Sequence, residues 1–286
     1  MQTGLKNLRV FVSLCLSVSV TQLHAETSRP VVFVSVPPQK QIIEMLTGEN
    51  VDVRIMLSPG QSPETFAPTP KQISTLAGAQ TYFEAGVPFE VTWRDTILAV
   101  NPEIRIVNCC ESLAHGQASQ QGKQTYLHIW TDPVYTIEMA RLARDELVIL
   151  LPAQEEQIKQ KFYHLESVLR QLHFRIERLL AERQTSYFII SHSALDAFSD
   201  RYRLKQLSLE TNGREIGLNS LREVVILSRR ENLKVLFIVE QYRTPLVTNL
   251  AKELNAEVVR LDILSENYIQ NMIVITNQIA RALWAQ

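Results

Sequence analysis

The chain has few glycines, few cysteines and no motif that is typical of a nucleotide site. Nine of its 286 residues are glycine, and no two of them stand in a G-x-G arrangement. This spacing excludes the dinucleotide-binding fingerprint and the P-loop as literal motifs. H-E-x-x-H and C-x-x-C are absent as well. A site built from single residues, scattered along the chain, remains compatible with the sequence.

Neither sign of charge is in excess. The chain has 29 Lys and Arg against 30 Asp and Glu, for a formal net charge of −1. We expect no nucleic-acid partner, because phosphate binding needs a basic excess. With 45% apolar and 21% charged residues, the composition is that of a globular protein, long enough for one large or two modest domains.

Residues 1–25 have the pattern of a secretory signal peptide. Lys6 and Arg9 give a positive start, an apolar run covers 10–20, and Ala25 suits the position before cleavage. The run is too short to span a bilayer, although an uncleaved N-terminal anchor helix is the alternative interpretation. We expect cleavage and export to the periplasm, and no later segment reaches transmembrane length.

Removal of the signal peptide takes away Cys15 and leaves the adjacent pair Cys109 and Cys110. Neighbouring cysteines can close only a small strained ring, so no disulfide framework is expected. The pair fits a redox couple or a soft metal site. The interpretation that we favour is a strand end that packs two small side chains inward.

Short apolar runs alternate with helical segments in both halves of the chain. Strands are predicted at 31–36, 51–56, 81–83, 104–107, 187–191, 235–239 and 257–261. Such alternation is typical of parallel sheets covered by helices.

One segment between the halves has a strict helical pattern. Apolar residues recur there at steps of four and three, at Ile158, Phe162, Leu165, Leu169, Leu172, Ile176 and Leu179. This spacing predicts one amphipathic helix of roughly 30 residues. A coiled-coil dimer is the alternative, but the flanking strand–helix units favour a spine between two lobes. We therefore expect an α/β protein with two Rossmann-like lobes of mostly parallel strands, at 26–150 and 186–286, joined by one long rigid helix within 151–185.

Three residues with metal-binding side chains stand where ligand groups gather in open α/β sheets, past the carboxyl ends of strands, and a fourth lies just before a helix. His192 and Asp262 directly follow predicted strands, and Glu64 lies in the proline-rich loop after another. His128 precedes the Asp-Pro start of a helix. Each residue alone also fits a structural role. Together, two imidazoles and two carboxylates are a ligand set for a borderline divalent ion such as Zn²⁺.

Several sequence blocks, in a fixed order over essentially the whole mature chain, match the pattern of one protein family. The blocks are LSPGQSPETFAPTP at 57–70, FEAGVPFE at 83–90, HIWTDP at 128–133, HSALDAF at 192–198 and LD at 261–262. They resemble the metal-specific periplasmic substrate-binding proteins of zinc and manganese ABC importers. The long helix resembles the single rigid helix that joins the two lobes in that family.

The resemblance implies the function and the ligands. Glu64, His128, His192 and Asp262 correspond to the four metal ligands of the family. The implied protein is a non-enzymatic, monomeric, periplasmic solute-binding protein. It would capture zinc, with manganese or iron as alternatives, and deliver the ion to a membrane ABC permease.

Two departures from the family pattern bear on the metal. The first ligand is usually histidine, and Glu64 stands in its place. The added carboxylate raises the oxygen share of the site, which favours Mn²⁺ or Fe²⁺ relative to a three-histidine site. The histidine-rich loop of many zinc members is missing, since 114–125 contains only His115. Glu240, at the end of a predicted strand, is a candidate for a substitute ligand or for a residue that holds a ligand in place.

Two other functions fit the same residues. If Glu64 acts as a general base and does not ligate, the remaining set leaves an open coordination position, as in an envelope zinc hydrolase. Alternatively, the metal is structural in an adhesin, and folding then depends on it.

Overall fold

The computed structural model describes residues 29–110, 126–211, 213–240 and 244–284. The predicted signal peptide at 1–25 and the polar segment at 114–125 lie outside these described residues. No helix within them is long and apolar enough to cross a membrane.

Two four-stranded parallel sheets form the framework of the described residues. Their strands are β1 (Val31–Val34), β2 (Asp52–Ile55), β3 (Thr81–Glu84), β4 (Arg105–Asn108), β5 (Tyr187–Ile190), β6 (Lys205–Ser208), β9 (Val235–Val239) and β10 (Glu257–Leu261). The first sheet has the order β2-β1-β3-β4 and the second β10-β9-β5-β6. A small antiparallel pair, β7 (Glu210–Thr211) and β8 (Arg214–Glu215), follows β6.

Helices alternate with the strands, as predicted. They are α1 (Pro37–Thr47), α2 (Pro70–Thr75), α3 (Pro88–Val100), α4 (Pro133–Leu150), α5 (Glu155–Leu180), α6 (Asp196–Arg201), α7 (Leu218–Arg230), α8 (Pro245–Leu254) and α9 (Tyr268–Trp284). We call the first sheet with α1 to α4 the first lobe, and the second sheet with α6 to α9 the second lobe. The predicted α/β class with two parallel sheets is confirmed.

The apolar runs of the second sheet are continuous because both faces of the strands are buried. Successive side chains of a strand point to opposite faces. Phe188 and Ile190 of β5 accordingly join the large core that extends through both lobes. Ile189, between them, joins a separate cluster under α7 and α8. Because both faces are buried, the sequences of β5 and β9 are unbroken apolar segments.

The long helix is α5, which has 26 residues. It begins after the single 3₁₀ turn Pro152–Gln154, so it is shorter than the pattern predicted. Its apolar face is buried at Ile158, Phe162, Leu165, Leu169, Leu172, Ile176 and Leu180. That face packs mainly against α4, and also against α1 of the first lobe and α9 of the second. Because the face is buried within the chain, α5 is the predicted linking spine and not a coiled-coil seam.

Polar side chains of the two lobes contact each other directly. Arg201 donates through Nε to Asp132 Oδ2 at 2.8 Å, and the Asp132 side chain is almost fully buried. Lys40 of the first lobe also pairs with Glu266, which lies just before α9, at 2.7 Å. Gln41 accepts from the backbone N–H of Ile269 at 3.0 Å. The two lobes are therefore in direct polar contact in addition to sharing α5.

Helix α3 and strand β6 are absent from the sequence prediction. Helix α3 buries little of its surface, since Val91 is 84% exposed, and it therefore lacks a clear apolar stripe. Its start is set by Pro88 and by the buried carboxylate of Glu90, which accepts from the backbone N–H groups of residues 85–87. Strand β6 lies at an edge of its sheet and begins with Lys205 and Gln206, so its pattern is polar.

The cysteine pair lies at the end of β4, and both thiols are free. Cys109 is buried and Cys110 is half-buried, as the inward-packing interpretation predicts. Burial raises the pKa of both thiols well above the usual range, so both stay protonated at neutral pH. Gly86 has a positive φ of 82°, and a Cβ there would lie 2.7 Å from Cys110 Sγ. The chain needs glycine at this position.

The role of α5 as a spine predicts the cost of truncating its buried face. Leu169 is fully buried, so Leu169→Ala should lower the free energy of unfolding by about 2–5 kcal/mol. The matched control on the exposed face, His164→Ala, should change it by less than about 0.5 kcal/mol. Urea unfolding of metal-free protein, followed by circular dichroism, measures both. Equal effects of the two substitutions would contradict the packing of α5.

Candidate metal site

Three of the four predicted ligands converge between the lobes. One ligand atom each from Glu64, His128 and His192 can be chosen so that all three lie within 4.8 Å of one another. We call these residues the ligand cluster. Glu64 lies in the loop between β2 and α2. His128 directly precedes the 3₁₀ turn Ile129–Thr131, which leads into α4, and His192 is the second residue after β5. The first lobe thus supplies two of these predicted ligands and the second lobe one.

Local hydrogen bonds shape the loop that carries Glu64. The Glu64 backbone N–H donates to Ser62 Oγ at 3.2 Å. At the end of the loop, Thr69 and Gln72 cap the start of α2 reciprocally. The amide of Gln72 also donates to the backbone oxygen of Met56 at 3.1 Å, which connects the cap to the end of β2. The loop is therefore fixed at both ends, with Glu64 between them.

His128 is held by a turn that touches the second lobe. The backbone oxygen of His128 accepts from the N–H and hydroxyl groups of Thr131, at 3.1 and 2.8 Å. The imidazole lies edge-on to Trp130, with ring centroids 5.3 Å apart. Trp130 in turn donates from Nε1 to the backbone oxygen of Ile263 at 2.9 Å. This contact connects the turn of the first lobe to the end of β10.

His192 stands where the second sheet ends. The preceding residue, Ser191, accepts from the backbone N–H of Val239 through its Oγ at 3.0 Å, which anchors the end of β5 to β9. The His192 imidazole is completely buried and contacts Glu210 Oε2 through Nδ1. Its other nitrogen, Nε2, lies 3.1 Å from Glu64 Oε1. The ring is thus placed between two carboxylates.

The side chains of the ligand cluster are almost inaccessible to solvent. The side chains of Glu64, His128 and His192 are 6%, 3% and 0% exposed. The distance from His128 Nε2 to Glu64 Oε1 is 4.0 Å. Both Glu64 oxygens and His128 Nε2 are buried without a hydrogen-bond partner among the described residues. Such groups are costly to bury, and a cation coordinated by them would offset that cost.

Burial shifts the pKa values of two side chains at the site, His128 and Asp196. Desolvation, with a smaller contribution from His192, lowers the pKa of His128 to about 3. The imidazole is therefore neutral at physiological pH and can offer a lone pair. Burial also raises the pKa of Asp196 to about 6, with Glu64 adding to the effect and His192 opposing it. Within the described part of the chain, no Lys or Arg pairs with Glu64, Glu210 or Asp196. The surroundings favour a cation.

Asp262, the fourth predicted ligand, is outside the ligand cluster in this structure. Its side chain is exposed, and Oδ1 accepts from the backbone N–H of Leu264 at 2.9 Å. Strand β10 is an edge strand, and β9 separates it from β5. The segment nevertheless borders the site, because the next residue, Ile263, accepts from Trp130.

Glu240 also lies apart from the ligand cluster. Its side chain is more than half exposed and lies 3.4 Å from Arg260 Nε. It forms a surface ion pair, which contributes little. The structure therefore offers no support for Glu240 as a substitute ligand.

Glu210 is a site residue that the sequence prediction does not include. Strands β5 and β6 pair in register, with Ile190 opposite Ser208. Two further residues along each strand, this register places His192 opposite Glu210. The sequence does contain a signal for Glu210, which is the first acidic residue after β6. That signal is informative only once β6 is assigned as a strand.

Comparison with known proteins adds the family context. The sequence model of a family described as zinc-uptake complex component A, periplasmic, matches residues 32–282. A putative metal-binding protein of Chlamydia trachomatis serovar D is 20% identical over 276 residues, which cover 96% of this chain and 99% of the relative.

Solved structures share the fold. The crystal structure of a ZnuA protein superposes with a TM-score of 0.82 at 25% identity, covering 89% of this chain and 99% of that one. A mutant, manganese-bound periplasmic metal-binding protein from candidatus Liberibacter asiaticus superposes with a TM-score of 0.78 at 15% identity, covering 90% and 100%. At that identity the second likeness shows the fold alone.

The lowered pKa of His128 predicts its behaviour in acid. In metal-free protein the His128 imidazole should not titrate between pH 8 and 5, whereas a histidine in a short peptide titrates at about pH 6.5. Because the unfolded chain then binds the proton that the folded chain excludes, the unfolding free energy should fall below pH 6.5, by up to about 1.4 kcal/mol per pH unit. Histidine-selective NMR titration measures the first effect, and urea unfolding at several pH values the second. A His128 midpoint near that of the peptide would contradict the assigned burial.

Proposed function

The chain belongs to the family of periplasmic zinc-uptake components, and from this premise we propose that it captures zinc and delivers it to the membrane permease of an ABC importer. The family consists of metal-binding transport proteins, not enzymes, and its description as periplasmic supports a location in the periplasm or outside the cell. The observation that carries the proposal is the ligand cluster, in which a buried carboxylate and two imidazoles face one another between the lobes.

We assign Glu64, His128 and His192 as ligands through a carboxylate oxygen and the two Nε2 atoms. Zn²⁺ accepts this combination of oxygen and nitrogen donors in tetrahedral geometry. The neutral state of His128 supports the assignment, since a protonated imidazole cannot ligate. The charge balance supports it too, because Glu64 and Glu210 are both buried beside His192. A dication would balance two buried carboxylates.

The two-lobe origin of the ligands suits a transported ion. His192 is on the second lobe, and its two co-ligands are on the first. A relative displacement of the lobes would therefore remove one ligand of three and weaken binding sharply. We propose that the permease obtains the ion in this way.

Zinc is the proposed ion, with manganese and iron as the alternatives. For a given site, affinity rises along the first-row series so that Zn²⁺ binds more tightly than Mn²⁺ or Fe²⁺. Two of the three clustered donors are imidazoles, which suit zinc. The carboxylate of Glu64, in the place of the family's usual histidine, makes the site more acceptable to manganese than a three-histidine site would be.

Asp262 is proposed as the fourth ligand, through reorientation of its side chain. The carboxylate would have to leave the backbone N–H of Leu264, which it accepts from here. The bond from Trp130 to Ile263 keeps this segment beside the turn of His128. Coordination by four protein ligands would also argue against a hydrolytic site, because such a site needs an open coordination position on the metal.

Export and assembly complete the proposal. Cleavage of 1–25 would release the chain into the periplasm. The protein would act as a monomer, because α5 uses its apolar face within its own chain. The permease is the expected membrane partner.

Calorimetry on chelator-stripped protein tests the metal and its ligands. Zinc should bind with 1:1 stoichiometry and more tightly than manganese. His192→Ala and Glu64→Ala should each weaken zinc binding by about 100-fold or more, since even residues that only support a ligand contribute about 10- to 100-fold. His164→Ala, a histidine on the exposed face of α5, is the control. Absence of micromolar zinc binding would refute the proposal, and loss of the folded circular dichroism spectrum on stripping would favour a structural metal.

The fourth ligand has its own test. Asp262→Ala should weaken zinc binding by about 10-fold or more, as for loss of a supporting carboxylate. Glu257→Ala, an exposed carboxylate on β10, the strand that ends directly before Asp262, should leave it unchanged. Both variants are measured by the same calorimetric titration. If Asp262→Ala binds zinc as the unmodified protein does, Asp262 is not a ligand.

A further inference from the structure

We propose that Glu210 is a positioning residue of the metal site, which holds His192 in the one ring orientation and tautomer that aim Nε2 at the ion. The inference rests on the proposed function and deepens it. Glu210 itself would not touch the metal. It would act through the imidazole that does, and its own carboxylate lies on the far side of that ring.

The backbone places Glu210 opposite His192. The N–H of Leu209 donates to the oxygen of Ile190 at 3.0 Å, which continues the pairing of β5 with β6. The N–H of Ser193 donates to the backbone oxygen of Glu210 at 3.2 Å. Hydrogen bonds thus connect the two chain segments on either side of the contact. The approach of the carboxylate to the imidazole is a consequence of strand register and does not depend on a flexible side chain finding its partner.

The chemistry of the contact specifies the tautomer. An ionised carboxylate can only accept hydrogen bonds, so Nδ1 of His192 must donate to Glu210 Oε2. An imidazole that ligates a metal is neutral and has one N–H, so with that N–H on Nδ1 the lone pair of Nε2 is the one offered to the ion. That atom lies 3.1 Å from Glu64 Oε1, on the side of the ligand cluster. A carboxylate on the other ring nitrogen also makes an imidazole a stronger ligand.

The environment strengthens the effect. The Glu210 side chain is 8% exposed and that of His192 is not exposed at all, so water competes little for either group. No Lys or Arg of the described segments forms an ion pair with Glu210. Its negative charge therefore acts on the imidazole and, through it, on a bound dication. A glutamate serving only to stabilise the short β7–β8 hairpin would not need to be directed at this ring.

Two variants and a matched control separate positioning from a purely structural role. Glu210→Ala removes the acceptor, and Glu210→Gln keeps the size and one acceptor oxygen but not the charge. The control, Glu215→Gln, alters a glutamate of the same hairpin that pairs with Glu210 through the backbone and is itself exposed. Readouts are the His192 tautomer, by histidine-selective ¹⁵N NMR of metal-free protein at an alkaline pH where the imidazole is neutral, and zinc affinity by calorimetry.

The expected result is a single Nδ1–H tautomer of His192 in the unmodified protein and in the control. Glu210→Ala should give a mixture of tautomers and weaken zinc binding by about 10- to 100-fold. Glu210→Gln should keep the tautomer and lose less affinity. A variant that only disturbed the hairpin would not change the tautomer selectively.

Other outcomes are equally decisive. If Glu210→Ala keeps both tautomer and affinity, the inference is overturned. If Glu210→Ala fails to fold, an Nε2–H tautomer in the unmodified protein or an unchanged affinity of Glu210→Gln overturns it. If the unmodified protein binds no zinc, the proposed function fails, and the tautomers of the variants still decide whether Glu210 positions the ring.

Discussion

A buried carboxylate without a hydrogen-bond partner among the described residues is the constraint on which the site depends. Glu64 is nearly inaccessible to solvent, and it faces His128 and His192, of which at least His128 is neutral. An unpaired buried charge costs several kcal/mol. The fold tolerates this cost because a bound cation can compensate the charge of the Glu64 carboxylate where water has no access. The same shortage of partners that makes the metal-free site unfavourable makes the site selective for a positive ion.

The rest of the molecule keeps the two halves of that site in register. Helix α5 packs on both lobes, and the ion pair of the buried Asp132 with the partly exposed Arg201 connects them. Asp132 also caps α4 by accepting from the N–H of Val134 at 2.8 Å. One side chain thus orients the helix that follows His128 and holds it against the second lobe. Tyr126 adds a second contact, donating to Asp200 at 2.6 Å.

The periodic and buried parts of the fold are predictable from the sequence. Strands β9 and β10 have the predicted bounds, and β9 is an unbroken apolar run that is almost fully buried. Helix α5 follows from the spacing of its apolar residues. Edge strand β6 does not, since Lys205 needs no apolar environment, and helix α3 is hidden because Val91 faces solvent. Local pattern reports burial, and elements that bury little leave little pattern.

The site follows a similar division. Glu64, His128 and His192 are identifiable because they stand at the ends of predicted elements and within family blocks. Glu210 is not, because its place depends on the pairing of β5 with β6, a non-local fact. The direction of the Asp262 side chain is likewise decided by a local bond to Leu264, which no spacing rule reveals. Sequence predicts which chain segments meet more readily than which atoms face each other.

The central claim is that one divalent ion is held between the lobes by Glu64, His128 and His192. The most direct measurement is a crystal structure of the protein loaded with zinc, with anomalous scattering recorded at the zinc absorption edge. We predict a single strong peak between the lobes, within about 2.0–2.2 Å of a Glu64 oxygen and of Nε2 of both histidines. A zinc peak at another place, or one that these three side chains do not contact, would contradict the claim.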